Sequence, residues 1–113
     1  MPRDDATLLD ILRAARLTVA FKGALDKSAF LNDLKTQSAI LHQLLVLGEA
    51  VKRLSEGFRT NHPAIPWRMI AGMHDQLIPA YDAVDLDEVW KTVSIDIPHL
   101  ITLLASLEPR QEE

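Results

Sequence analysis

The stretch QSAILHQLLVLGEAVKRLS, residues 37–55, decides the fold of this chain. Its apolar residues alternate gaps of four and three, which places them along one face of a helix as a heptad-like seam. Continued past the stretch, the seam contains Ile40, Leu44, Leu47, Val51, Leu54 and Phe58, and a second stripe contains Leu34, Leu41 and Leu45. A helix with two apolar faces lies centrally in its domain or pairs with another chain. We predict that this helix starts near Ser28 or Leu34 and ends near Phe58.

Helical spacing also precedes this stretch. A first helix presents one apolar face made of Leu8, Ile11, Leu12, Ala15 and Val19. Asp4 and Asp5 stand at its start, where carboxylates cap free N–H groups and suit the helix dipole. Gly23 is the expected stop.

Two more helices follow a proline-containing linker, TNHPAIPW, at residues 60–67. The third helix carries a stripe of Trp67, Ile70, His74, Leu77 and Tyr81. The fourth carries Leu86, Val89, Trp90, Val93, Ile97, Leu100, Ile101 and Leu104, and this stripe keeps its phase across Pro98, which predicts a kink rather than a break. The pattern predicts an all-α fold, an antiparallel four-helix up-and-down bundle formed by residues 1–108, with a frayed tail at 109–113.

Composition limits the classes of function. The 113 residues include no cysteine, which excludes disulfides and thiolate zinc sites and fits a reducing cytoplasm. No apolar run is long enough for a membrane span, and the N-terminus lacks the order of a signal peptide. The net charge is −4, the basic residues are scattered, and Asp82, Asp85, Asp87 and Glu88 lie close together. Nonspecific binding of long duplexes is therefore not expected, whereas a small RNA site, or one assembled by dimerisation, stays open.

Glu49 is a carboxylate among apolar residues, and Arg53 four residues later offers an intrahelical ion pair. The neighbouring Gly48 weakens a helix by about 1 kcal/mol relative to alanine, which indicates the close approach of another helix. No metal and no cofactor are predicted. The histidines at 42, 62, 74 and 99 lack the spacing that brings two ligands onto one ion, and the glycines form no phosphate-binding loop.

The segment HDQLIPAY, residues 74–81, concentrates the remaining polar chemistry. In a continuous helix His74 and Tyr81 share a face, with Asp75 beside them, so the three could transfer a proton to or from a small substrate. The structural alternative makes His74 and Tyr81 half-buried packing residues and leaves Asp75 in solvent.

Three segments in order resemble the HepT-like branch of the HEPN superfamily. They are residues 37–55, PAIPWRMIAGMHDQLIPAY at 63–81 and VDLDEVWKTVSIDIPHL at 84–100. Gly-Glu-Ala at 48–50, Ile-Pro-Trp at 65–67 and Val-Asp at 84–85 stand where that family has them. The resemblance implies a helical homodimer with its active site beside the dimer interface. It also implies the toxin of a type VII toxin–antitoxin pair, whose antitoxin is a minimal nucleotidyltransferase.

The family activity implied is metal-independent RNA cleavage by a motif of Arg, four to six residues, His, any residue and Tyr. On this chain the motif arginine falls on His74 and the motif histidine on Pro79, while Asp75 and Tyr81 match the family. The antitoxin of such pairs can adenylylate the motif tyrosine, here Tyr81. Proline cannot exchange a proton, and a neutral imidazole replaces a guanidinium poorly.

Pro79 also disfavours helix by about 3 kcal/mol and pushes Ile78 out of the helical region. The third helix is therefore predicted to kink or end near Ile78, which would swing Tyr81 away from its usual direction.

Three functions remain open at this point. The first is a toxin that still cleaves RNA, with His74, Asp75 and Tyr81 as its catalytic candidates. The second is a catalytically impaired dimer that binds a minimal nucleotidyltransferase. The third is a helical bundle without such a partner.

Overall fold

The computed structural model describes residues 2–80 and 83–108 of the chain. Its α-helices are α1 (Pro2–Lys22), α2 (Lys27–Leu31), α3 (Leu34–Val51), α4 (Glu56–Asn61), α5 (Trp67–Ala71), α6 (Met73–Leu77), α7 (Leu86–Lys91) and α8 (Ile97–Ala105), with a π-helical segment, Thr92–Asp96, between the last two. These residues contain no strand beyond an isolated bridge between Ala80 and Ala83. The predicted all-α class is confirmed.

Four helical runs correspond to the four predicted helices: α1, α3, α5 with α6, and α7 through α8. The short helices α2 and α4 are additional. The up-and-down order and the domain limits of 1–108 stay predictions, and the tail at 109–113 lies outside the described residues. Within the described part of the chain, no helix is both long and apolar enough to cross a membrane.

Helix α1 packs along α3 through the predicted face. Leu8, Ile11, Leu12 and Ala15 are at most 1% exposed. Val19 is an exception at 36% exposure, and Thr18 is buried in its place with its hydroxyl donating to the carbonyl of Ala15 at 2.8 Å. The helix ends as expected at Gly23, whose φ of 53° suits glycine and whose N–H donates to the Val19 carbonyl at 3.0 Å.

Asp4 has a different role from the predicted helix cap. It lies in the first turn of α1, where it suits the dipole, but its carboxylate binds across the fold. The Ser55 N–H and hydroxyl donate to its two oxygens at 2.9 and 2.7 Å. These two hydrogen bonds, first that of the hydroxyl, lower the pKa of Asp4. The start of α1 is therefore fastened to the turn between α3 and α4.

Helix α3 begins as predicted at Leu34, after the carboxylate of Asp33 accepts the Thr36 N–H at 3.0 Å. The prediction that it continues to Phe58 is wrong. The helix ends at Val51, and Ser55 caps a separate helix α4 by accepting the Phe58 N–H at 3.1 Å. The seam is nevertheless buried from Ile40 to Leu54, because the turn between the helices keeps Leu54 against the core.

The predicted linker at 60–67 starts inside α4, which runs to Asn61. After it, the indole N–H of Trp67 donates to the carbonyls of Arg59 and His62 at 3.1 and 3.0 Å. These bonds give hydrogen-bond donors to the carbonyl groups at the end of α4 and fix the position at which α5 begins.

The run from α7 to α8 is continuous across Pro98, as predicted. The helix accommodates Pro98 through a π-helical segment that precedes it. In this segment the Ile97 N–H donates to the carbonyl of Thr92, five residues earlier. A π-helical turn shifts the hydrogen-bond register by one residue, so the missing N–H of Pro98 does not interrupt the helix.

Candidate functional site

The candidate site lies where α6 packs against α3. Met73 and Leu77 hold α6 in the core at 5% and 0% exposure. Helix α5 leads into α6 through Gly72, whose N–H donates to Arg68 and whose carbonyl accepts the Gln76 N–H. Burial of Met73 and Leu77 leaves His74, Asp75 and Gln76 facing solvent.

His74 and Asp75 are neighbours in space as well as in sequence. His74 Nδ1 lies 3.3 Å from Asp75 Oδ1, and the two side chains are 60% and 98% exposed. When Nδ1 carries a proton it donates to this carboxylate, which leaves Nε2 directed elsewhere. The alternative in which His74 is a half-buried packing residue is wrong, because Met73 occupies that part of the stripe. The solvated position expected for Asp75 is confirmed.

Gly48 lets α3 and α5 approach closely, as predicted from its cost to helix propensity. A methyl group at this position would lie 3.1 Å from the carbonyl oxygen of Ile70 and 3.8 Å from Cβ of Met73. The backbone of α5 therefore rests almost on that of α3. This contact sets the distance between α3 and the side chain of His74, which follows Met73 directly.

Glu49 belongs to the same surface, although its pairing differs from the prediction. It is exposed, and its Oε2 accepts from Nζ of Lys52 at 2.8 Å, instead of pairing with Arg53. This hydrogen bond and then the charge of Lys52 lower the pKa of Glu49; burial opposes them, and the charges of His74 and Arg53 add smaller lowering effects. Glu49 is thus an ionised carboxylate whose direct partner is Lys52, the residue that follows α3.

Pro79 ends the helix as predicted. Helix α6 stops at Leu77, and Ile78 has φ −125° and ψ 74°, outside the helical region. The chain then returns to the bundle, since the Asp85 N–H donates to the Leu77 carbonyl at 2.8 Å. Pro79 itself is exposed and contributes no proton donor. Tyr81 lies outside the described residues, so its place in the site stays a prediction.

Two grooves in the surface of the bundle were not predicted from the sequence spacing. One lies between α5–α6 and the π-helical segment, holds about 150 Å³ and is mostly apolar, with Met69 and Ile95 at its edges exposed by 51% and 62%. Its apolar rim could not be recognised from the sequence, because the exposure of Met69 and Ile95 is seen only in the folded chain. The other lies between α1 and α3 and contains Arg13 and Arg53. Its residues are 40 positions apart, so spacing within one helix could not join them.

Among the described residues, no group of three or more histidine, aspartate or glutamate side chains could hold a metal ion. His42, His62 and His99 do not join His74 in such a group. The chemistry that the surface can perform with its own described side chains is proton transfer at His74 and binding of charged groups by the residues around Glu49.

Comparison with known proteins gives consistent matches along most of the chain. A family model described as "Ribonuclease HepT-like" matches residues 11–107. A Thermococcus cleftensis protein named "Probable ribonuclease HepT" is 45% identical over 93 residues, covering 82% of this chain and 84% of that protein. A Methanocaldococcus jannaschii protein named "Putative RNase" is 37% identical over 101 residues, covering 88% of this chain and 84% of its own length. No solved structure matches the chain.

Proposed function

The chain belongs to the family of HepT-like ribonucleases, and we propose that it is the RNA-directed toxin component of a two-gene, type VII toxin–antitoxin system in the cytoplasm. In this proposal its RNA cleavage depends on His74. The carrying observation is that His74 is 60% exposed, with Asp75 Oδ1 3.3 Å from its Nδ1. An imidazole open to solvent can reach a large substrate, and a carboxylate beside Nδ1 favours the tautomer that leaves Nε2 as a proton acceptor.

The chemical step fits these groups without a metal. Nε2 of neutral His74 takes the proton of an RNA 2′-hydroxyl, and the 2′-oxygen attacks the adjacent phosphorus. The bond from phosphorus to the 5′-oxygen breaks, which leaves a 2′,3′-cyclic phosphate and a 5′-oxygen that is protonated by water. Asp75 Oδ1, 3.3 Å from His74 Nδ1, orients the imidazole by accepting the Nδ1–H. Pro79 takes no part in proton transfer.

The experiment is cleavage of a 5′-labelled RNA by the purified protein in the presence of EDTA. We expect His74→Ala to lower the rate at least about 100-fold, since general acid–base groups commonly contribute that much. Asp75→Asn should lower it less, and His42→Ala, on the exposed side of α3, is the matched control. Cleavage that persists in His74→Ala would refute the assignment of His74, and cleavage that requires a divalent ion would refute the metal-free step.

The second candidate function is a binding module that has lost catalysis. It is favoured by Pro79, which occupies the family's histidine position and ends α6 at Leu77. The module would form a homodimer and bind a minimal nucleotidyltransferase, with Tyr81 as the adenylylated residue. The half-covered second stripe of α3, with Leu34 at 74% exposure, supports a surface that another chain covers.

Two measurements separate the candidates. A His74→Arg/Pro79→His variant restores the family motif, so cleavage by this variant alone identifies the native chain as a binding module. Light scattering of the native protein tests the homodimer, and a monomer at micromolar concentration would refute it. Mass spectrometry after incubation with the nucleotidyltransferase and ATP tests Tyr81, with Tyr81→Phe as the control.

A further inference from the structure

The groove between α1 and α3 gathers positive charge in a chain whose net charge is −4. It holds about 250 Å³ and includes Arg13 from α1 and Arg53 from the turn after α3. Gln43 and Asp10 are the other polar residues that line it. Two guanidinium groups, an amide and one carboxylate thus share one opening, and the excess charge there is positive.

Neither arginine is neutralised by the described part of the chain. Within residues 2–80 and 83–108, no carboxylate forms an ion pair with Arg13 or Arg53, and Asp10 lines the groove without such a contact. Arg16 behaves differently, because its guanidinium contacts the Glu108 carboxylate at 3.1 Å. Like charges that line one groove repel each other, and an anion bound between them reduces that repulsion. The planar fork of guanidinium suits the oxygens of a phosphate.

Glu49 relates the groove electrostatically to the candidate site, although it does not line the groove. This carboxylate lies four residues before Arg53 on α3, and both Arg53 and His74 contribute to the lowering of its pKa. Arg53, from the turn after α3, and His74, from α6, therefore both act electrostatically on the same carboxylate. Lys52 already binds Glu49 at 2.8 Å, so the carboxylate leaves Arg53 available to another anion.

We propose that the groove between α1 and α3 binds a backbone phosphate of single-stranded RNA through Arg13 and Arg53, next to the nucleotide presented to His74. The inference rests on the proposed function for its substrate class, but it concerns binding and not the proton transfer. It also gives a source for the cationic contact that His74, standing at the family's arginine position, does not provide. A single strand fits better than a duplex, because a duplex needs a broad basic surface.

The test is the binding of a fluorescein-labelled, fully 2′-O-methylated RNA of about 12 nucleotides, a length within the range of single-strand sites. This probe cannot be cleaved by attack of a 2′-hydroxyl, so binding is measured separately from catalysis. Fluorescence anisotropy gives the dissociation constant at several salt concentrations. We expect Arg13→Ala and Arg53→Ala each to weaken binding about fivefold, as for exposed charge contacts.

The salt dependence distinguishes phosphate contacts from general destabilisation. Each lost phosphate contact to a single strand should reduce the slope of log K against log salt by about 0.7. Arg16→Ala, one turn along α1, should change neither the affinity nor the slope, and the Arg13→Lys/Arg53→Lys variant should keep most of the slope because it keeps the charge. Thermal unfolding of each variant shows that the fold is kept.

Each outcome is decisive. If the native protein does not bind the probe, or if the Arg13→Ala/Arg53→Ala variant binds with native affinity and slope, the proposal is overturned. If binding depends on both arginines but unmodified RNA is not cleaved, the phosphate-binding proposal is supported and the proposed catalysis is refuted. If RNA is cleaved but the two arginines are dispensable for binding, the catalytic proposal is supported and the phosphate-binding proposal is refuted.

Discussion

Replacing Gly48 by alanine tests whether the close contact between α3 and α5 is required. In the middle of a helix this exchange is ordinarily favourable, by about 0.5–1 kcal/mol. Here the new methyl carbon would lie 3.1 Å from the Ile70 carbonyl oxygen, a backbone atom that cannot rotate away. The α5 backbone must move by a few tenths of an ångström, and overpacking of this kind costs about 1–3 kcal/mol. We therefore expect Gly48→Ala to destabilise the protein by about 1 kcal/mol after both effects are combined.

Gly57 provides the matched control. It lies in α4, and apart from its chain neighbours and its own helix backbone no atom of the described residues lies within 4 Å of the position that its methyl group would take. Gly57→Ala should gain up to about 1 kcal/mol of stability, because only helix propensity acts there. The difference between the two variants thus isolates the cost of the contact at Gly48.

The assay is equilibrium unfolding in urea, followed by circular dichroism at matched protein concentrations. The two variants should differ by about 1–3 kcal/mol in unfolding free energy with unchanged m-values. Equal stabilisation by both substitutions would refute the reasoning, since it would mean that α5 yields without cost. Because His74 follows the contact with α5, Gly48→Ala should also alter RNA cleavage, whereas Gly57→Ala should not.

Three further predictions concern the rest of the fold. The hydrogen bonds from Ser55 lower the pKa of Asp4 from its ordinary 3.8, so their contribution is present above 3.8 and is lost as the pH falls through the folded-state pKa. Asp4→Asn should therefore lower the melting temperature at pH 7, and this difference from the native protein should disappear in acid. Asp5→Asn, in the same first turn, is the control and should lower the melting temperature little. An equal decrease for both variants would indicate that the helix dipole, and not Ser55, is responsible. Phe30 is fully buried in the five-residue helix α2, and its ring centre lies 5.3 Å from that of Trp90. Phe30→Ala should lower the free energy of unfolding in urea by about 3–5 kcal/mol, and Phe30→Leu should lower it much less. A small loss for both variants would mean that this ring does not anchor α2. Lys22 Nζ lies 5.0 Å from the Trp90 ring centre, so Lys22→Gln should lower the unfolding free energy by about 0.5–1 kcal/mol. Lys27→Gln should lower it less, because the ion pair of Lys27 with Asp87 is exposed. The reverse order would contradict a stabilising cation–π contact.

The apolar periodicity predicted the helices because burial and periodicity have the same cause. Residues such as Leu8, Leu44 and Val89 recur at helical spacing and are all fully buried. Gly23 and Pro79 were equally informative, since each restricts the backbone locally whatever the rest of the chain does.

The errors arose where contacts in the folded chain differed from those of an idealised continuous helix. The seam suggested one helix up to Phe58, but the Ser55 side chain caps α4, and the Ser55 N–H and hydroxyl also bind Asp4, 51 residues earlier. Glu49 had an apparent partner in Arg53, but Lys52 at i+3 takes it. His74 fitted an apolar stripe in an idealised helix, whereas the core selects Met73 and turns His74 outward. None of these preferences can be read from spacing, because each depends on which side chains the folded chain brings together.

The acidic segment around residues 82–88 shows why the net charge was a poor guide to the candidate site. Asp85 accepts the Glu88 N–H at 3.1 Å and caps α7, and Asp87 pairs with Lys27 at 3.0 Å. Glu88 accepts from the Gln76 amide at 2.7 Å. Asp85 thus caps α7 itself, whereas Asp87 and Glu88 join α7 to α2 and α6. Arg13 and Arg53 have none among the described residues, so the charge left available for a ligand is positive on the α1–α3 side even though the chain as a whole is acidic.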